Sequence, residues 1–146
     1  MVLAQDKENS HLYAMKIIDK RKIKEFNVLQ SESITKISEN PLFAKIRETF
    51  HNESKIYIVM EYMAKGDIYY YLKRKEFEFT EPIIKGLVAE IIVGIEILHA
   101  EGIIYRELKP ESILVTEDGH IKLTDYGLSK MIVSETNQNS TFIGTL

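Results

Sequence analysis

Tyr105-Arg106-Glu107-Leu108-Lys109-Pro110-Glu111-Ser112, followed further along by Asp125-Tyr126-Gly127, is the part of this chain on which its reading turns. Between the two lie Ile113 to Thr116 and Ile121 to Thr124, apolar and β-branched runs that flank Glu117-Asp118-Gly119-His120. That pattern predicts a strand, a turn with Asp-Gly at the bend, and a second strand. Taken singly, the residues say little, because an Asp before Tyr-Gly is usually a turn residue and a Tyr is usually core. Their joint order carries the information.

Working outward, Thr80-Glu81-Pro82 predicts the start of a long helix, since Thr80 can cap free amide groups and Pro82 loses no hydrogen bond in a first turn. Ile84, Leu87, Val88, Ile91, Ile92, Ile95 and Leu98 recur at helical spacing, and Gly102 marks the stop. Ile83, Val93 and Ile97 widen the apolar arc, so the helix expects neighbours on several sides and a partly uncovered face if they are missing. A short helix is expected from Asp67 to Lys75 and another from Ser31 to Ser38. Val2 to Ala4 with Leu12 to Ile18 form an expected hairpin, and Phe43 to Phe50 with Ile56 to Met60 read as two more strands around His51-Asn52-Glu53-Ser54.

With 146 residues, 45% apolar and 28% charged, the chain suits one globular unit. A net charge of -3 with mixed signs leaves no footprint for nucleic acid or an acidic membrane surface. Cysteine is absent, which rules out disulfides and thiolate metal sites. The run Lys20-Arg21-Lys22-Ile23-Lys24 lies between Asp19 and Glu25 and reads as a solvated helix face. No stretch approaches a signal peptide or a membrane span, so a cytoplasmic location, with the nucleus as the alternative, is the expectation.

The stretch from Tyr105 to Ser112 resembles the catalytic loop of protein kinases, H/Y-R-D-L-K-P-E-N, and Asp125-Tyr126-Gly127 resembles their metal-binding D-F-G turn. Tyr13-Ala14-Met15-Lys16 resembles the strand offering a lysine to the α- and β-phosphates. Met60-Glu61-Tyr62-Met63 resembles the hinge that receives adenine, and Asp67 matches a position that contacts ribose. Tyr105 and Leu123-Thr124-Asp125 point to the AGC group of serine/threonine kinases, as does Thr141-Phe142-Ile143-Gly144-Thr145-Leu146, similar to T-F-C-G-T-P. The resemblance implies an α+β, two-lobed protein-kinase-like fold: an antiparallel N-lobe sheet with one helix in 1-60, a hinge in 61-66, and the start of a mainly helical C-lobe through the activation loop in 67-146.

It also implies roles. ATP and Mg²⁺ are the implied cofactors. Lys16 would meet the nucleotide phosphates, and Ala14, Met60, Glu61, Met63, Asp67 and Leu114 would line its site. Glu32 is the candidate partner of Lys16, although counting back from Asn40-Pro41 reaches Ser31 instead. Asp125 and Ser112 would hold metal, Glu107, Lys109 and Arg106 would be catalytic, and Thr141 would be the phosphorylated activation-loop residue. Tyr105 and Tyr126 are assigned to packing.

The pattern also breaks. Glu107 replaces the family's aspartate, pushing the carboxylate outward by one methylene, and a misplacement of about 1 Å can cost on the order of a hundredfold in rate. Ser112 replaces the metal-binding asparagine with a shorter, weaker ligand. The glycine-rich loop and the A-P-E motif are missing from the sequence, so a chain truncated at both ends is expected. Three readings stand: a pseudokinase that holds ATP and serves a scaffolded kinase partner, an active kinase acting on protein substrates, and a non-functional fragment.

Overall fold

The computed structural model describes residues 1–22, 32–74, 77–106, 108–126 and 130–131. Its N-terminal part is a four-stranded antiparallel sheet of β1 (Val2–Gln5), β2 (Leu12–Asp19), β3 (Ile46–His51) and β4 (Lys55–Glu61), in the order β1-β2-β4-β3. Alternation along β4 explains its inner face: Ile56, Ile58 and Met60 are buried, while the residues between them are less so. Ala14, Ile18 and Ile46 pack against these three. Each such burial removes apolar area worth about 1.5–3 kcal/mol. Lys16 stands opposite Ile58 and shares its strand face with Ala14 and Ile18.

Helix α1 (Glu32–Ser38) buries Ile34, Ile37 and Ser38, a stripe at helical spacing. The chain then does not enter β3 at Phe43, as the local pattern predicts. Phe43 instead forms a parallel bridge to Leu123, and β3 begins only at Ile46, with a bulge between Ile46 and Glu48. The cause is the ring of Phe43, 1% exposed, which finds a deeper apolar site below the sheet than on it.

Helix α2 (Ile68–Lys73) is capped by Asp67, whose carboxylate accepts from the Tyr70 amide at 2.8 Å. The long helix α3 (Glu81–Ala100) has Pro82 in its first turn, as its sequence requires. Thr80 sits at the cap position but makes no side-chain cap bond; its carbonyl accepts from the Ile84 amide at 3.0 Å. Ile83, Ile84, Val88, Ile92 and Val93 are exposed, an apolar face of the kind the wide arc led one to expect. On the other side Gly94 lies so close to Leu123 that an added Cβ would sit 2.5 Å from Leu123 Cδ1. Among the described residues, no helix is long and apolar enough to cross a membrane.

After α3, Gly102 takes a φ of 70° and turns the chain into β5 (Ile103–Ile104), which pairs with β8 (Lys130–Met131). Strands β6 (Ile113–Val115) and β7 (Ile121–Leu123) form the expected hairpin around Gly119, φ 87°. The main core joins α1, Phe43, α3 and these short strands through Ile34, Ile37, Leu98, Ile103, Ile113, Ile121 and Leu123.

Glu90 of α3 fastens the hairpin. One carboxylate oxygen lies 2.7 Å from His120 Nδ1, and the other accepts from the Ile121 amide at 2.9 Å. The hydrogen bond and charge of Glu90, with Asp118 adding, raise the His120 pKa above its ordinary value. A raised folded-state pKa stabilises fully below the unfolded value of about 6.5 and loses that contribution as pH rises through the folded one. The thermal midpoint of the native chain should therefore fall slightly more between about pH 6 and about pH 9 than that of Glu90→Gln. The ring is exposed, so added salt should shrink the difference. Parallel pH profiles for the two proteins would disprove the coupling.

Candidate active site

Two strands and two loops converge where the sheet meets the β6–β7 hairpin. From β2, the Lys16 ammonium reaches Asp125 Oδ1 at 2.6 Å, with the two side chains 22% and 16% exposed. That oxygen is buried and makes no aligned hydrogen bond among the described residues, so the contact is mainly Coulombic. Asp125 also has a φ of 65°, a left-handed conformation that Asp tolerates better than most residues. The sequence separates these two groups by most of the chain; the fold makes them neighbours.

Glu32 does not take the place expected of it. It opens α1 on the side away from Ile34, Ile37 and Ser38, where it is exposed, and Lys16 pairs with Asp125 instead. A carboxylate in a first turn is favoured by the free amides there. With the buried stripe fixed by two isoleucines, residue 32 points outward.

The residues expected to form the hinge are held by partners that the sequence did not assign to them. Thr124, just before Asp125, places its hydroxyl 3.5 Å from the sulfur of buried Met60. Glu61 Oε1 accepts from the Lys45 amide at 2.7 Å and from Lys122 Nζ at 2.6 Å, tying the end of β4 to β7. Strand alternation offered a signal for Lys122, which must face away from Ile121 and Leu123. Met63 closes a turn in which its carbonyl accepts from Gly66, whose φ is 77°. Asp67 bridges Leu114, and the Val115 amide donates to the Gly66 carbonyl at 2.9 Å, so Asp67 and Leu114 sit side by side. Ala14 lies on the inner face of the sheet, packed on the β4 cluster.

In the loop before β6, the Ser112 residue is completely buried. Its hydroxyl donates to the Lys109 carbonyl at 2.8 Å and accepts from the Lys109 amide at 3.1 Å. The oxygen expected to ligate a metal is thus engaged within its own loop. Lys109 and Arg106 are half-buried on that loop. Glu107, Gly127 and Thr141 lie outside the described residues.

Around Asp125 the backbone is stapled. The Thr124 amide donates to the Ser112 carbonyl at 3.0 Å, and the Tyr105 hydroxyl donates to the Thr124 carbonyl at 2.6 Å. Tyr126 is 1% exposed, edge-on to Phe43 with ring centres 5.1 Å apart, and its hydroxyl donates to the Ala44 carbonyl at 2.7 Å. Burial pushes its phenol pKa above the ordinary range, and the Glu61 carboxylate adds to the effect. The phenol therefore stays a proton donor at any physiological pH.

The protein kinase domain model matches residues 1–146, so the chain belongs to the protein kinase domain family. Ribosomal protein S6 kinase alpha-1 of Rattus norvegicus is 39% identical over 142 residues, covering 95% of this chain and 19% of that protein. The RAC family serine/threonine-protein kinase homolog of Dictyostelium discoideum is 35% identical over 150 residues, covering 99% of this chain and 34% of its own length. A putative ribosomal protein S6 kinase alpha-1 of Caenorhabditis elegans is 37% identical over 147 residues, covering 96% of this chain and 18% of its own. Within the family the chain is thus an AGC-like serine/threonine kinase domain, and it spans 18% to 34% of the length of these relatives.

Proposed function

We propose that this domain holds Mg-ATP between Lys16, the hinge and Asp125, and that its phosphoryl transfer is lost or severely impaired. The observation that carries the holding part is the meeting of Lys16 and Asp125 at 2.6 Å beside Met60 and Thr124. A buried carboxylate oxygen without an aligned hydrogen bond suits a hard cation, which takes carboxylate and phosphate oxygens. Among the described residues no group of three or more His and carboxylate side chains could hold a metal, so Asp125 would hold the ion together with the nucleotide's own phosphates. The ion, when bound, neutralises charge on the phosphates. Lys16 supplies fixed positive charge on the sheet side. Asp67 keeps one carboxylate oxygen beyond the one that caps α2, and it stands next to Leu114 under the cleft.

Support for impaired transfer comes from the catalytic loop. Phosphoryl transfer gains chiefly from positioning and charge neutralisation, so small displacements matter. Glu107 carries its carboxylate one methylene too far out, and the Ser112 hydroxyl is turned into the loop rather than offered to an ion. The two defects act on different parts of the same step, the orientation of the attacking hydroxyl and the grip on the metal.

The test pairs calorimetric titration of the whole chain with Mg-ATP against a single-turnover assay using γ-labelled ATP and a generic basic peptide. Measurable binding with negligible label transfer is expected. Transfer at the rates of ordinary protein kinases, about 1–100 s⁻¹, would show that Glu107 and Ser112 suffice. No binding at any nucleotide concentration would remove the holding part as well.

A further inference from the structure

The geometry points to the phenol hydroxyl of Tyr126 as a positioning group that keeps Asp125 turned toward Lys16 and able to take a divalent cation. The inference rests on the nucleotide-holding reading of the same cleft.

Ala44 is gripped on both sides of Asp125. Its amide donates to the Leu123 carbonyl at 2.9 Å, and its carbonyl accepts from the Tyr126 hydroxyl at 2.7 Å. The Leu123 amide in turn donates to the Leu42 carbonyl at 2.8 Å. The turn that carries Asp125 is thus fastened before the residue by backbone bonds and after it by the Tyr126 hydroxyl, which bonds the Ala44 carbonyl and also interacts with the Ser38 side chain. Asp125 itself is in a left-handed conformation, which costs free energy unless its surroundings hold it there. An apolar ring at position 126 would fill the same pocket against Phe43, but apolar packing has no direction and lets a ring slide or swing. A hydrogen bond to a fixed carbonyl sets both the distance and the rotation of the ring, and through them the backbone one residue back. The buried Ala44 has no exposed surface to lend its carbonyl to solvent, so the bond is not readily exchanged for one to water.

Tyr126→Phe removes the hydroxyl alone. A purely structural role would lower thermal stability and leave the relation between metal and nucleotide as it was. A positioning role predicts a split. In ATP titrations of the whole chain, the gain in affinity produced by magnesium over EDTA should fall about fivefold, the effect of one hydrogen bond of ordinary strength, while affinity in EDTA changes by less than about twofold. Mass-spectrometric hydrogen exchange of the unliganded chain should show faster exchange at Thr124 to Tyr126 with the β4 amides unchanged. An unaltered magnesium gain, or unaltered exchange at these three residues, would overturn the assignment. If the native chain binds no nucleotide in either buffer, the reading of the cleft fails by itself, and the exchange data still decide whether the hydroxyl holds the turn.

Discussion

Replacing Lys16 by methionine is expected to abolish the thermal shift that Mg-ATP should give the native chain if the proposed nucleotide site holds. The ammonium is the fixed positive charge that the sheet brings to the cleft, on a strand whose register against Ile58 is set by the β2–β4 pairing. Methionine keeps the length and apolar stem of lysine but can neither meet phosphate nor balance Asp125. The unliganded protein should also become less stable, because a carboxylate about five-sixths buried loses its partner. Removing one member of a fully buried pair costs roughly 3–5 kcal/mol, and solvent access here reduces that to about half or less. Asp125→Asn separates the two effects. Combined with Lys16→Met it should recover part of the lost stability without restoring the nucleotide shift. A full Mg-ATP shift in Lys16→Met would sink the placement of the site.

A second large effect is expected at Phe43. Its ring is buried in the main core, edge-on to Tyr126, and its backbone bridges Leu123. Phe43→Ala should cost about 3–5 kcal/mol in chemical denaturation, the usual range for a buried phenylalanine. Because the cavity would open directly beside the ring of Tyr126, the loss should fall on nucleotide binding as well as on stability. Phe43→Leu, which refills most of the volume, should recover the larger part of both. A loss below about 1 kcal/mol would mean that the site collapses around the missing ring.

The parts of the fold set by local patterning were legible in the residues. Alternation in Ile56, Ile58 and Met60 fixes the inner face of β4, and seven apolar residues at helical spacing fix α3. The order of Lys16, the hinge, the Tyr105 loop and Asp125 predicted one cleft, and the geometry brings Lys16 and Asp125 into contact. What stayed hidden depended on partners distant in sequence. Phe43 reads as the start of a strand until Leu123, far along the chain, draws it down. The Glu61 link to Lys122 and the Tyr126 link to Ala44 are of the same kind, since neither residue type announces its partner. Glu32 failed for a different reason. It opens α1, but the face of that helix was decided by Ile34 and Ile37. Two-residue strands such as β5 and β8 are too short to leave any periodic trace.

The apolar interior is divided unequally. Among the described residues ten buried ones, Ile34 and Ile37 of α1 among them, belong to the lower body, whereas three form the nucleus of the sheet, and Ile46 packs against both groups. Helix α1 is thus built into the lower body, and among the described residues Ile46, beside a bulge, is the apolar side chain common to both groups, so the sheet is expected to behave as a light flap. Heating should loosen this flap before the rest melts, and a ligand spanning Lys16 and Asp125 would act as a clasp across the seam.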